Sequence, residues 1–190
     1  MESIANFTGT QLASAGRGAI ASGGGDVLVD VVDSSDTVLS QGRRGDVTQR
    51  GLNFRVVHVL VFNSRSELLV QHIASGLRHA GMWGSSAAGF IRAGETYEAS
   101  AARKLTEELA SPVRPAMVGK TSMKDGASTK FIKVFEAKSD GPFSVDAASA
   151  SEVEFLSLPA IAAHRQSGLR LFTPTFLVVL DFYLNLRSSP

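Results

Sequence analysis

The apolar and polar positions alternate from the first patterned stretch onward. Val27, Val29 and Val31 interleave with Leu28, Asp30 and Val32, which predicts a strand beginning near Asp26. Asp33-Ser34-Ser35-Asp36 is a turn cluster, and Thr37 to Ser40 returns as a second strand. Val56 to Phe62 is apolar almost throughout, the pattern of a buried strand; Asn63 to Ser66 turns the chain and Glu67 to Gln71 pairs back. Gly76 to Gly84 reads as loop, and Ser85 to Phe90 as a short strand of small side chains. The strongest helical signal is Thr96 to Leu109, where Ala101, Ala102, Leu105 and Leu109 share one stripe. Strands follow at Met117 to Met123, Lys130 to Glu136 and Glu152 to Leu158, with a turn at Asp140-Gly141-Pro142. Pro159 to Gln166 and Thr175 to Leu186 read as closing helices, the second with Pro174 at its start. Strands, one helix, strands and then helices predict an α/β fold with a mixed sheet, not a regular βαβ repeat.

Composition narrows the classes. Residues 1 to 25 are rich in Ala, Ser, Gly and Thr and end in three glycines, which predicts a flexible arm ahead of one domain spanning 26–190. The chain has 190 residues, 44% of them apolar and 19% charged, an ordinary globular balance. A net charge of +1 supplies no basic excess for a nucleic-acid polymer. No apolar run approaches the roughly 18 residues of a membrane span, and the N-terminus lacks the basic-then-apolar order of a secretory signal. The absence of cysteine excludes a disulfide scaffold, a thiol nucleophile and a Cys-ligated zinc site. It fits a reducing compartment, and a cytoplasmic location is expected.

The chemistry gathers at Gly89 to Ser111, which reads GFIRAGETYEASAARKLTEELAS. Lys104, Glu107 and Glu108 stand at i, i+3 and i+4, so they form a compact patch on the helix surface. Two neighbouring carboxylates suit a hard divalent cation such as Mg²⁺, which takes one or two carboxylates plus phosphate oxygens. Arg103 can orient Glu95 through its planar fork. Gly94 breaks the chain ahead of the helix, and Gly89 permits a close backbone approach. A Glu pair alone on an amphipathic helix is ordinarily a solvated face; the spacing of the whole set carries the signal.

That spacing resembles the Nudix box, Gx5Ex7REUxEExGU with U a bulky aliphatic. Gly89, Glu95, Arg103, Leu105, Glu107 and Glu108 fall in register. The resemblance implies the Nudix fold, a mixed β-sheet sandwiched between α-helices. It also implies Mg²⁺ or Mn²⁺ held by Glu107, Glu108 and the Gly89 carbonyl, with Arg103 positioning Glu95. Family members often add a carboxylate from outside the box, and Glu152 is the candidate. Arg78, Trp83 and Lys104 are the candidate substrate contacts. The box departs from the family at Lys104, where Glu is usual, and at Ala110 and Ser111, where Gly and an aliphatic are usual. Lys104 puts a cation where a ligand would stand.

DVLVDVVD at Asp26, RVVHVLVFN at Arg55, LLVQ at Leu68, GMWGSSAAG at Gly81 and Phe172-Thr173-Pro174 are similar to the Nudix branch that contains isopentenyl-diphosphate isomerase. The isomerases use a Cys just before the opening Gly and a His just after it; here Ala88 and Phe90 stand there. His58 lies within an apolar strand and reads as a core residue, and His72 and His79 flank a loop. The favoured expectation is a divalent-metal-dependent hydrolase of a nucleoside diphosphate linked to another moiety, or of a similar small-molecule diphosphate. The second is a catalytically impaired Nudix domain that binds a nucleotide or a partner; the third, disfavoured by Ala88, is an isomerase-like enzyme. A homodimer is compatible with the family.

Overall fold

A computed structural model describes residues 27–188; the expected arm, and Asp26, lie outside the described residues. In chain order the elements are β1 (Leu28–Val32), β2 (Val38–Arg43), α1 (Arg44–Gln49), β3 (Asn53–Phe62), β4 (Leu68–Ile73), β5 (Trp83–Gly84) and β6 (Ala87–Phe90). Then come α2 (Tyr97–Leu109), β7 (Ala116–Asp125), β8 (Ser128–Lys138), β9 (Ala150–Leu156), α3 (Leu158–Ser167) and α4 (Pro174–Ser188).

The sheet is organised around β3. It runs parallel to β8 from Phe54↔Lys130 to Phe62↔Lys138 and antiparallel to β6 from Val56↔Phe90 to Val59↔Ala87. Its first residues pair with β1 and its last with β4, while β7 extends the sheet beyond β8, and β9 pairs with β4. A strand enclosed this way is buried on both faces, which is why its sequence shows little alternation. Phe54, Val56, Leu60 and Phe62 join one core with Phe176, Val179, Leu180 and Tyr183 of α4. Val57, Val59 and Val61 join another with Ala101, Leu105 and Leu109 of α2. The mixed sheet lies between helices, as the sequence implies.

Some elements differ from the expectation. α1 has one buried side chain, Val47, too few apolar positions to register as a helical period. β2 continues to Arg43, and β7 and β8 run longer than predicted. Ser85 to Phe90 is not one strand: Ser85 and Ser86 are buried between β5 and β6, and Ser86 Oγ bonds the backbone at Leu69 (2.6 Å) and Val61 (2.8 Å). Ala102 is only half-buried, so the α2 stripe narrows to Ala101, Leu105 and Leu109.

Helix α2 is well closed at both ends. Thr96 accepts a hydrogen bond from the Ala99 amide (3.1 Å), the N-cap that starts it. At the other end Ala110 adopts a left-handed conformation (φ 50°), its N–H reaching Thr106 O and that of Ser111 reaching Leu105 O. This is an αL closure with alanine in the position that favours glycine. The carbonyls of Glu108 and Leu109 accept from the Asp146 and Ser144 amides at 3.0 and 3.1 Å, fastening the loop before β9 to the helix end.

Candidate functional site

The box folds as one unit from β6, the loop after it, and α2. Gly94 has φ 75° and its amide points to the Asp30 carboxylate of β1 (3.3 Å). This turn brings Glu95 under Arg103, whose Nε and Nη2 donate to the two carboxylate oxygens at 2.8 and 2.7 Å. Nη2 also reaches Phe90 O (3.3 Å) and Ser100 Oγ (3.1 Å), so the guanidinium ties loop, strand and helix together. Burial opposes ionisation of Glu95, but the bonds and charge of Arg103, the Arg92 amide and the Ser100 hydroxyl together outweigh it and hold the carboxyl below its usual range.

The remaining carboxylates are engaged as well. Glu107 accepts from Arg103 Nη1 and Arg92 Nη2, both at 3.0 Å, and lies 3.5 Å from Lys104 Nζ. Glu108 is ion-paired directly with Lys104 and accepts from Gln71 Nε2 (3.2 Å) and the Ala88 amide (3.2 Å). The sequence placed Glu108 on the helix surface; the structure corrects this, for it is only 6% exposed. The facing residues Gln71 and Ala88 enclose it. Burial pushes its carboxyl pKa up, against the opposing pull of the Lys104 ammonium.

Gly89 provides the close approach expected of it, and the occupant is Lys104. A Cβ at Gly89 would stand 2.7 Å from Lys104 Cε and 3.3 Å from its Nζ. The lysine stem therefore lies across the β6 backbone, and its head enters the space between Glu107 and Glu108. Three carboxylates (Glu95, Glu107, Glu108) face three cations (Arg92, Arg103, Lys104), and the cluster is neutral. Among the described residues no group of three or more His, Asp or Glu is placed to hold a metal ion. Each carboxylate is already paired, and the arrangement does not fit a divalent cation.

The other sequence candidates stand elsewhere. Glu152 is 62% exposed on β9 and lies 3.9 Å from His72 Nδ1. Its cross-strand partner is His72, whereas Val153 pairs with Gln71. Glu152 thus points to the sheet face opposite Gln71 and Glu108. Arg78 holds Asp125 through both terminal nitrogens (2.9 and 2.6 Å), and Arg78, with Lys130 also contributing, depresses the Asp125 carboxyl to about 2. Trp83 is buried, with the Arg170 guanidinium 4.3 Å over its ring and His72 at 5.0 Å. None of these reaches the box. His58 is the core residue the sequence predicts: its Nδ1 lies 2.8 Å from Ser85 Oγ, and burial, with the Lys130 charge, lowers its pKa to about 3. Two residues that join the site carry no sequence signal of their own. Arg92 occupies a variable position of the box, and Gln71 arrives from β4, far away in the chain, where no spacing rule points to it. Two cavities, of about 580 Å³ beside Met117 and Glu136 and about 350 Å³ between α3 and α4, lie away from the box.

A family model described as the NUDIX domain matches residues 52–176, a span that holds the whole box. The chain belongs to the Nudix family. An uncharacterised Nudix hydrolase of Pseudomonas aeruginosa is 35% identical over 162 residues, covering 83% of this chain and 94% of that protein. An isopentenyl-diphosphate Delta-isomerase of Photorhabdus laumondii is 35% identical over 85 residues, 44% of this chain and 48% of the isomerase. A Deinococcus radiodurans crystal structure shares the Nudix fold, with a TM-score of 0.71 at 24% identity over 82% of this chain and 99% of that one. The Nudix domain of Shewanella oneidensis NrtR, solved with ADP ribose, superposes with a TM-score of 0.56 at 18% identity, over 72% and 89%. Nudix proteins in general use divalent metal ions; this Nudix domain has a lysine in the midst of its acidic cluster. Among the described residues no helix is long and apolar enough to cross a membrane.

Proposed function

We propose that this Nudix domain binds the diphosphate group of a small molecule, a nucleoside diphosphate linked to another moiety or a compound like it, and that Lys104 leaves it catalytically impaired. The observation that carries this reading is the Lys104 ammonium held between Glu107 and Glu108 on the surface of Gly89. A lysine meets phosphate as a point charge with rotatable donors, and Arg92, half-exposed at the rim, adds a second. The same lysine stands where the Nudix box carries a glutamate of its metal-binding cluster. The ADP ribose bound by the Shewanella domain supports the ligand class, and the cysteine-free composition favours a cytoplasmic site of action.

A second reading is a working hydrolase of phosphoric anhydride bonds. It is favoured by the Pseudomonas relative, a Nudix hydrolase matched over 94% of its length. Water attacks phosphorus in that chemistry, and the anhydride oxygen leaves with the pair of electrons of the broken bond. An isomerase reading finds a methyl group at Ala88, whose amide is spent on Glu108.

A panel of diphosphates that includes ADP ribose separates the two. Binding by calorimetry without cleavage of the diphosphate, which for ADP ribose would yield AMP and ribose 5-phosphate, supports the proposal. Cleavage that requires Mg²⁺ and disappears in Glu108→Gln establishes the hydrolase instead.

A further inference from the structure

We infer that Lys104 is a tethered substitute for the divalent cation: it excludes metal from the box and meets the anionic ligand in the metal's place. The inference deepens the diphosphate reading and rests on it for the identity of the ligand, but the exclusion of metal stands on geometry alone.

Three features fix the ammonium where it is. Its stem lies across Gly89 at a distance that any Cβ would close, so the side chain is packed along its length. Its head pairs with Glu108, which is buried. Moving the lysine away leaves a buried carboxylate uncompensated, the costly way to break such a pair. Lastly, the neighbouring carboxylates are already paired with arginines: Glu95 with Arg103, and Glu107 with Arg103 and Arg92. A metal ion entering the cluster would meet a neutral set of charges with a +1 group at its centre, whereas Mg²⁺ takes one or two carboxylates free of other cations, plus phosphate oxygens.

The ammonium also has capacity to spare. It carries three N–H donors, and Glu108 and Glu107 account for two of its directions. A third can serve an anionic oxygen, such as that of a phosphate, through the 16% of the side chain that remains exposed. The charge that other members of the family import with a metal ion is here part of the chain.

The test reads metal directly. Mn²⁺ binding to the full chain is measured by electron paramagnetic resonance for the native protein, Lys104→Glu and Lys104→Gln. The native protein should leave Mn²⁺ free at millimolar concentration. Lys104→Glu should bind it at least about tenfold more tightly than the native chain, the added carboxylate completing a hard-cation site. Mn²⁺ should also raise the thermal midpoint of Lys104→Glu and not that of the native protein, a readout that survives a weakened fold. Tight Mn²⁺ binding by the native chain that is lost in Glu107→Gln overturns the inference, as does a Lys104→Glu protein that gains no metal by either measure. Calorimetry with inorganic diphosphate in EDTA probes the ligand separately. Binding by the native protein, lost in Lys104→Gln, supports the substitution. A native protein that excludes Mn²⁺ and binds no diphosphate overturns the ligand reading and leaves the metal exclusion in place.

Discussion

Lys104 and Glu108 form an ion pair in which the acid is buried and the base is wedged against the backbone of Gly89. The pair is one turn long on α2, yet it is packed like a core contact. Its two members are therefore unequal in what their removal costs.

Lys104→Met keeps the aliphatic stem over Gly89 and strands Glu108. It should destabilise the protein by about 3 kcal/mol, the cost of leaving a buried charge without its partner. Lys104→Met combined with Glu108→Gln should recover at least about 1 kcal/mol of that loss, since the residues are coupled. Urea midpoints of the four proteins in the cycle give the answer; strictly additive losses would mean the pair behaves as a surface contact.

Ala110 is the least comfortable residue of the box. It holds a left-handed conformation at φ 50° to close α2, where an L side chain crowds the following carbonyl and glycine does not. Ala110→Gly should raise stability by about 1 kcal/mol, seen as a higher thermal midpoint. A lower midpoint would show that the Ala110 methyl contributes more than the strain costs.

The Arg103–Glu95 fork should be intolerant of a change that keeps only charge. Lys supplies one point charge in place of two parallel bonds, so Arg103→Lys should cost about 1 to 2 kcal/mol. Amide exchange should accelerate at Arg92 to Glu95, the loop that the guanidinium fastens to Phe90. Unchanged protection there would show that Asp30 and Gly94 hold the loop unaided.

His58 links stability to pH. Its native pKa, about 3, lies below the ordinary 6.5 because the ring is buried and faces the Lys130 charge. Between those values the unfolded chain takes up a proton that the native chain refuses. The contribution is whole above pH 6.5 and is lost as pH falls toward 3, at up to about 1.4 kcal/mol per pH unit. His58→Asn should flatten the dependence of the urea midpoint between pH 6.5 and 4.5. An unchanged slope would assign the acid sensitivity to other groups.

The strand-rich order, the box helix and the Arg103–Glu95 fork were legible because each is local: a period of two, a period of 3.6, a fixed spacing. The burial of Glu108 was not. It depends on Gln71 and on Ala88, which reach the carboxylate across the sheet, and helical spacing describes only the side of a residue that faces its own helix. Glu152 shows the converse. Its alternation with Glu154 correctly placed both on one strand face, but which face looks toward α2 is decided by the register of β9 on β4. Helix α1, with Val47 as its lone anchor, lies below what periodicity can register.

The position of β3 has a consequence for how the protein comes into being. The strand lies under the box through β6, yet its other edge is completed by β8, and Phe135 and Ala137 of β8 belong to the core beneath α2. A ribosome that has released Ser111 has produced every letter of the box while Phe135 and Ala137, part of the floor beneath it, are still untranslated. The sequence signature is complete well before the platform that gives it a shape, and a fragment ending there would carry the motif without the site.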